Sequence, residues 1–492
     1  MVEHAGKAPG FVDRFLVLRG AMRELWITFA VKLLAIAAYQ VMNYTLVLWL
    51  SSNLGYSDEK ALGLVATWSI LMTVFTVLVG SLTDAIGLRK TFLLGVGVCL
   101  VARAVMTFTT VKWLALAGGM FPLAIGEALG TPVLVAAVRR YSTTAQRSIS
   151  FSMFYVLMNA GFLVSYYLFD YVRQALGEHG HLTLPLIGAP LTTYQALFLV
   201  SFVLELCLLP ILYFGVREGA EATDDGIRIT PVQPRHPGVN VWNVFCLTVR
   251  DTFRDTVGNL AALGRQAGFY RLLGFLMLIA FVKLIFMQMY YVYPKFGIRE
   301  LGDNAPIGRL WAINSILIIV LVPIVGVLSQ KSSAYRMVIL GSAISTVSVL
   351  FMTLPTAWFQ AMADSTLVRW TAHAYLGLSG NVNPWYVMIF LYVVLLSVGE
   401  AFYSPRVYEY AAAIAPKGQE ASYGALSYVP FFLAKLLVGT VSGVLLAEYC
   451  PASGPRHSQT MWLVIALMTT ICPLGLITLR RWIRVPEAGR EG

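Results

Sequence analysis

Seven ionisable side chains stand near the middle of long apolar runs in this 492-residue chain: Lys32, Arg103, Glu127, Glu205, Lys283, Glu400 and Lys435. An ionised group at bilayer depth costs at least about 2.5 kcal/mol, so each needs a partner or a water-filled cavity. Four of them repeat as one base and one acid in each half of the chain, Lys32 with Glu127 and Lys283 with Glu400. Burial raises the proton affinity of a carboxylate and a nearby lysine lowers it, so a carboxylate that exchanges a lysine for a proton can couple the two. The six histidines (His4, His179, His181, His236, His373, His457) fall outside the apolar runs, and a histidine relay is not expected. Glu127 and Glu400 are therefore the candidate proton carriers. The alternative is a pair of structural ion pairs that lock helices together.

Helical spacing places polar and aromatic residues beside these charges. Lys32, Tyr39 and Asn43 share one face, as do Lys283 and Tyr290; Glu127 neighbours Thr131, and Glu400 neighbours Tyr403 and Ser404. Tyr155, Asn159 and Tyr166 align on another segment, and Tyr428, Phe431 and Lys435 on a further one. Together they form a lining suited to a small polar solute, with plain helix packing the competing role for any single tyrosine.

The elements that must position these residues are membrane spans. The chain is 58% hydrophobic and 12% charged, against about 25% charged in a soluble domain. A spanning helix needs roughly 20 apolar residues, and twelve runs qualify: 25–50, 61–82, 89–110, 113–138, 148–172, 191–214, 268–293, 305–328, 335–355, 385–413, 421–446 and 460–482. No cleaved leader is expected. The expected organisation is an N-terminal segment 1–24, a six-helix bundle 25–214, a linker 215–267, a second six-helix bundle 268–482 and a tail 483–492. Apolar residues at helical spacing in 241–265 suit either an interfacial helix or a solvated one. Counting loops with the N-terminus inside puts 23 basic residues on that side, against Lys60, Lys112, Arg173, Lys295, Arg299, Arg309, Arg369 and Arg456 on the other. This bias predicts cytoplasmic termini and a cytoplasmic linker; it also accounts for the net charge of +11 without nucleic acid as a partner. The five cysteines show no paired spacing, so neither disulfide nor metal site is expected.

The halves repeat. Gly126-Glu-Ala-x-x-Thr-Pro132 matches Gly399-Glu-Ala-x-x-Ser-Pro405 at an offset of 273, and Val31-Lys32-Leu33 matches Val282-Lys283-Leu284 at 251. Gly80-x-Leu82 recurs as Gly326-x-Leu328. A parallel repeat of two six-helix units is the layout of a rocking transporter with its site between the halves.

The loop after the second span reads Gly80-Ser-Leu-Thr-Asp84-Ala-Ile-Gly87-Leu-Arg89-Lys90. It resembles, at every position, the signature loop of the major facilitator superfamily, G-x-L-x-D-x-x-G-x-[RK]-[RK]. The resemblance implies an all-α membrane protein of twelve helices in two pseudo-symmetric bundles. It also implies a gating role for Gly80, Asp84, Gly87, Arg89 and Lys90, and a central cavity lined by spans one, four, seven and ten. Spans three and six are peripheral in that fold, so Arg103 and Glu205 are expected to form a structural pair. Phe154-Tyr155-Val-Leu-Met-Asn159-Ala-Gly161 and the stretch from Gly399-Glu400 to Ala415-Pro416 look like the proton-coupled oligopeptide transporters within that superfamily. The E-x-x-E-R of their first span is absent; Ile27 to Leu34 contains no carboxylate.

The expectation is a secondary active transporter, not an enzyme, working by alternating access as a proton-coupled symporter. Its partners are a peptide-like or amino-acid-like small solute, protons and membrane lipid. It needs no cofactor, functions as a monomer and sits in a bacterial inner membrane. Substrate would be held by Lys32, Tyr39, Asn43, Glu127, Tyr155, Asn159, Lys283, Tyr290, Glu400, Tyr403, Tyr428 and Lys435. No Walker loop is present, which argues against ATP drive. The alternatives are an organic-anion or phosphate-ester exchanger that clamps its solute with Lys32 and Lys283, and a transport-dead receptor or partner subunit.

Overall fold

The computed structural model describes residues 17–484 apart from 186–187, 189, 231–242, scattered positions through 263, 330–331 and 415–428. Twelve long helices follow one another: α1 (Arg23–Ser52), α2 (Asp58–Ile86), α3 (Leu88–Phe108), α4 (Lys112–Arg140), α5 (Thr144–Leu176), α6 (Thr193–Gly215), α7 (Ala267–Tyr291), α8 (Ile307–Leu328), α9 (Ala334–Leu350), α10 (Pro384–Ile414), α11 (Val429–Leu437, continued through Tyr449) and α12 (Ser458–Thr478). Eleven of them are long and apolar enough, over described residues, to cross a membrane. The twelfth place belongs to α2, some of whose side chains fall outside the description.

Local chemistry sets the ends of these helices. Thr143 and Gln146 close a capping box at the start of α5, and Thr192 and Gln195 do the same for α6, each satisfying amide donors that have no partner within the helix. At the break between α2 and α3 stands Gly87 with φ 90°, a conformation that a side chain would strain. Arg23 and Arg89 donate to the last carbonyls of α6, at Gly215 (2.9 Å) and Tyr213 (2.6 Å), where cations suit the helix dipole.

Each half packs its own six helices: α1 lies on α5 and α6, α3 on α4 and α6, and in the second half α9 lies on α10 and α12 and α7 on α11 and α12. The halves meet along α5–α8 and α2–α11, two contacts that exchange under the repeat. The repeated glycines mark equivalent crossings. Gly126 of α4 stands against Cys99 and Gly95 of α3, and Gly399 of α10 against Ser345 and Gly341 of α9. Small residues let two backbones approach where lipid supplies no hydrophobic drive.

Two short hairpins form, Ala220–Thr223 with Gly226–Ile229 in the linker and His181–Thr183 with Pro190–Thr192 before α6; the second takes up the first two residues of the run 191–214 read from sequence as a span. Most of 241–265, the candidate interfacial helix, lies outside the described residues.

Candidate functional site

The second half builds one side of the site. Lys283 of α7 donates to Ser404 Oγ of α10 at 3.2 Å. Its ammonium lies 4.8 Å from the Tyr403 ring centroid and 5.5 Å from that of Phe286, a setting that offsets part of its desolvation. One turn before Ser404, on the same helix face, Glu400 accepts a hydrogen bond from Asn314 Nδ2 of α8 at 3.0 Å. Asn314 also donates to Ser397 at 3.0 Å, which fixes its amide. An ammonium and a carboxylate are thus presented on neighbouring turns, each steadied by a neutral partner.

The first half departs from the expected symmetry. Glu127 of α4 is engaged by Arg103 of α3, with Nη2 2.5 Å from Oε1. The same guanidinium reaches Glu205 of α6 at 3.1 Å, so the pair expected between Arg103 and Glu205 is present, with Glu127 added to it. The pairing of Glu127 with Lys32 is replaced. The physical reason is the glycine crossing of α3 on α4, which brings a forked donor beside the carboxylate, where α1 offers a single ammonium. Lys32, 1% exposed, rests over the Phe154 ring of α5 at 4.1 Å.

Of the other candidates, Asn43 and Tyr155 reach across the two halves. Asn43 of α1 accepts the Tyr291 hydroxyl of α7 at 2.9 Å. Tyr39 stacks on Trp68 of α2, and Tyr290 stands edge-on to Trp311 of α8. Tyr155 of α5 packs against Ile318, Val325 and Ala401 of α8 and α10, while Asn159 donates to the Tyr155 carbonyl at 3.0 Å. Lys435 of α11 is 8% exposed. Tyr428 and the side chains of Asp84, Thr131 and Phe431 lie outside the described residues. Of the gating loop, Arg89 stacks on Tyr213 as well as capping α6, and Lys90 pairs with Glu218 at 3.1 Å.

Sequence reasoning missed Asn314 and the set that ties the halves at the end away from the termini. There Arg299 lies 2.8 Å from Asp58, Lys295 contacts Asp58 and Ser51, and Arg173 donates to the Asp303 and Ala305 carbonyls. Asn314 left a signal: an amide within an apolar run, at the position that offset 246 pairs with Trp68.

Twelve spanning helices in two related halves, with buried charges facing one another across helix crossings, define a polytopic transport protein rather than an enzyme. The family model of the Major Facilitator Superfamily matches residues 28–382, and the chain belongs to that superfamily. No curated protein sequence matches it. Among solved structures it is similar to an auto-inhibited POT family peptide transporter (16% identity, 96% of this chain and 99% of that one, TM-score 0.66). It is also similar to a POT family transporter in complex with 5-aminolevulinic acid (16%, 97% and 98%, 0.66) and to one in complex with a thioalcohol-conjugated peptide (15%, 94% and 97%, 0.67). At these identities the likeness is one of fold.

Proposed function

We propose that this superfamily member is a proton-coupled secondary transporter for a small zwitterionic solute, peptide-like or amino-acid-like. Access alternates by rocking of 25–214 against 268–482 about a cytoplasmic linker 215–267, in a bacterial inner membrane. The observation that carries this reading is Lys283 of α7 donating to Ser404 of α10, with Glu400 one turn earlier on α10 held by Asn314. A solute with one carboxylate and one ammonium matches that pair charge for charge. Asn43, Tyr39, Tyr290 and Tyr155 supply the polar and aromatic wall, and Glu400 takes the proton when Lys283 is drawn to substrate.

The test is a thermal-shift screen of the purified protein against dipeptides, amino acids, sugars and phosphate esters, followed by proteoliposome uptake of whichever class binds. The reading requires a zwitterion to bind and an inward proton gradient to drive its accumulation. Accumulation that persists in the double variant Glu127→Gln, Glu400→Gln, with only protons supplied, would sink the coupling assignment.

One observation favours a second reading. Because Arg103 engages Glu127, Lys32 keeps only the Phe154 ring as its described partner, and the first half offers an ammonium free to clamp an organic anion or phosphate ester. Selective stabilisation by phosphate esters, with counterflow that ignores the proton gradient, would establish the exchanger instead.

A further inference from the structure

Arg103 is fully buried: Nη2 donates to Glu127 and Nε to Ser201 Oγ at 2.8 Å, while Nη1 lies 3.1 Å from Glu205 Oε2 as an ion pair without hydrogen-bond geometry. Ser201 in turn donates to the Ala38 carbonyl of α1 at 2.7 Å. Four helices, α1, α3, α4 and α6, therefore fix one cation between two carboxylates. A lock between helices requires one acid for one base; the second acid is surplus to that role.

We propose that Glu127, Arg103 and Glu205 are one proton-holding site, in which a single proton is shared between the two carboxylates across the guanidinium. Arginine keeps its charge under all accessible conditions. With both glutamates ionised the cluster carries one net negative charge at bilayer depth; with one proton bound it is neutral. The neutral form avoids the cost of a bare charge in the membrane, at least about 2.5 kcal/mol. Two carboxylates competing for one cation titrate as a pair, not singly. The Glu127 side chain is 14% exposed and that of Glu205 7%, with Arg103 sealed behind them, so the proton enters and leaves through Glu127 and Glu205 is its reserve. The other titratable groups facing the cluster are the Cys99 thiol of α3 and the Tyr39 phenol of α1.

The second half has no copy of this device. The crossing glycines Gly95 and Gly341, with Cys99 and Ser345 beside them, set the α3–α9 offset at 246, which places Val349 where the first half has Arg103. The inference deepens the coupling part of the proposed function by adding Glu205 to it, so it is tested without any solute.

The experiment is infrared difference spectroscopy between low and high pH on the protein in proteoliposomes, with gel filtration as the folding control. The expected result is a protonated-carboxyl band that titrates in the unaltered protein and in Glu400→Gln. In both Glu127→Gln and Glu205→Gln the band is lost, or its midpoint moves by more than about one pH unit. If Glu205→Gln fails to fold, Glu205→Asp takes its place and should move the midpoint while keeping the band. A band unchanged by substitution at Glu205, or one abolished by Glu400→Gln, overturns the proposal. Absence of proton-driven uptake alongside the expected spectra would defeat the proton-coupled reading and leave the site standing.

Discussion

Asp170 Oδ2 of α5 lies 2.7 Å from the backbone nitrogen of Arg309 in α8. Its other oxygen accepts the Gly308 amide at 2.9 Å, so a carboxylate of the first half caps a helix of the second. Losing an N-cap costs about 0.5–2 kcal/mol. Because this cap crosses between the halves, the loss falls on the state closed at that end. Asp170→Ala should therefore shift the conformational balance toward opening there by about two- to thirtyfold. Electron–electron resonance distances between labels on the α1–α2 and α7–α8 connections report it; an unchanged distribution would show that the cap holds no gate.

The glycine crossings predict where bulk is refused. A Cβ at Gly399 would stand 2.7 Å from the Gly341 carbonyl oxygen and 2.8 Å from the Ser345 nitrogen, both backbone atoms, whereas one at Gly130 meets nothing within 4 Å. Gly399→Ala should cost about 1–3 kcal/mol and lower the melting temperature in detergent, and Gly130→Ala should leave it level or raise it slightly. Equal shifts in the two variants would refute the crossing as the cause.

Asp84→Asn should leave folding largely intact and cut transport, because the stretch 80–90, which the structure folds as the end of α2, a turn at Gly87 and the start of α3, serves one access state rather than the core. Arg89 and Lys90, in the first turn of α3, hold that junction to the α6 end through Tyr213 and Glu218, and Gly87 gives it its sharp turn. Normal transport rate and affinity in Asp84→Asn would reduce the motif to a topological signal.

The basic-residue bias predicts that the linker 215–267 is cytoplasmic. Cysteines introduced there, on a background cleared of the native five, should resist an impermeant thiol reagent applied outside intact cells and react once the membrane is permeabilised. Labelling from outside would invert the orientation.

Much of this architecture was legible in the residues themselves. Apolar length fixes a spanning helix whatever its neighbours, since the bilayer demands about 20 apolar residues and internally satisfied backbone; over the described residues the twelve runs read from sequence coincide with α1–α12 to within several residues at most ends, while the first part of the eleventh, 421–428, lies outside them. The repeat was legible too, because Gly126 and Gly399 are held by the same steric need at equivalent crossings. So was the contact of Arg103 with Glu205, two opposite charges that could not stay bare in apolar runs.

What the residues could not settle was which partner each charge takes. Lys32 and Glu127 were matched by symmetry, yet symmetry of sequence does not fix distance across helices. The approach of α3 to α4 gave Glu127 to Arg103 and left Lys32 on Phe154. Likewise Asn314, an isolated amide in α8, gained its role only when α10 brought Glu400 to it, and Asp170 became a cap only when α5 met α8. Helix identity follows from local composition and solvent; pairing between helices follows from packing angles and crossing points, which the tertiary structure alone decides.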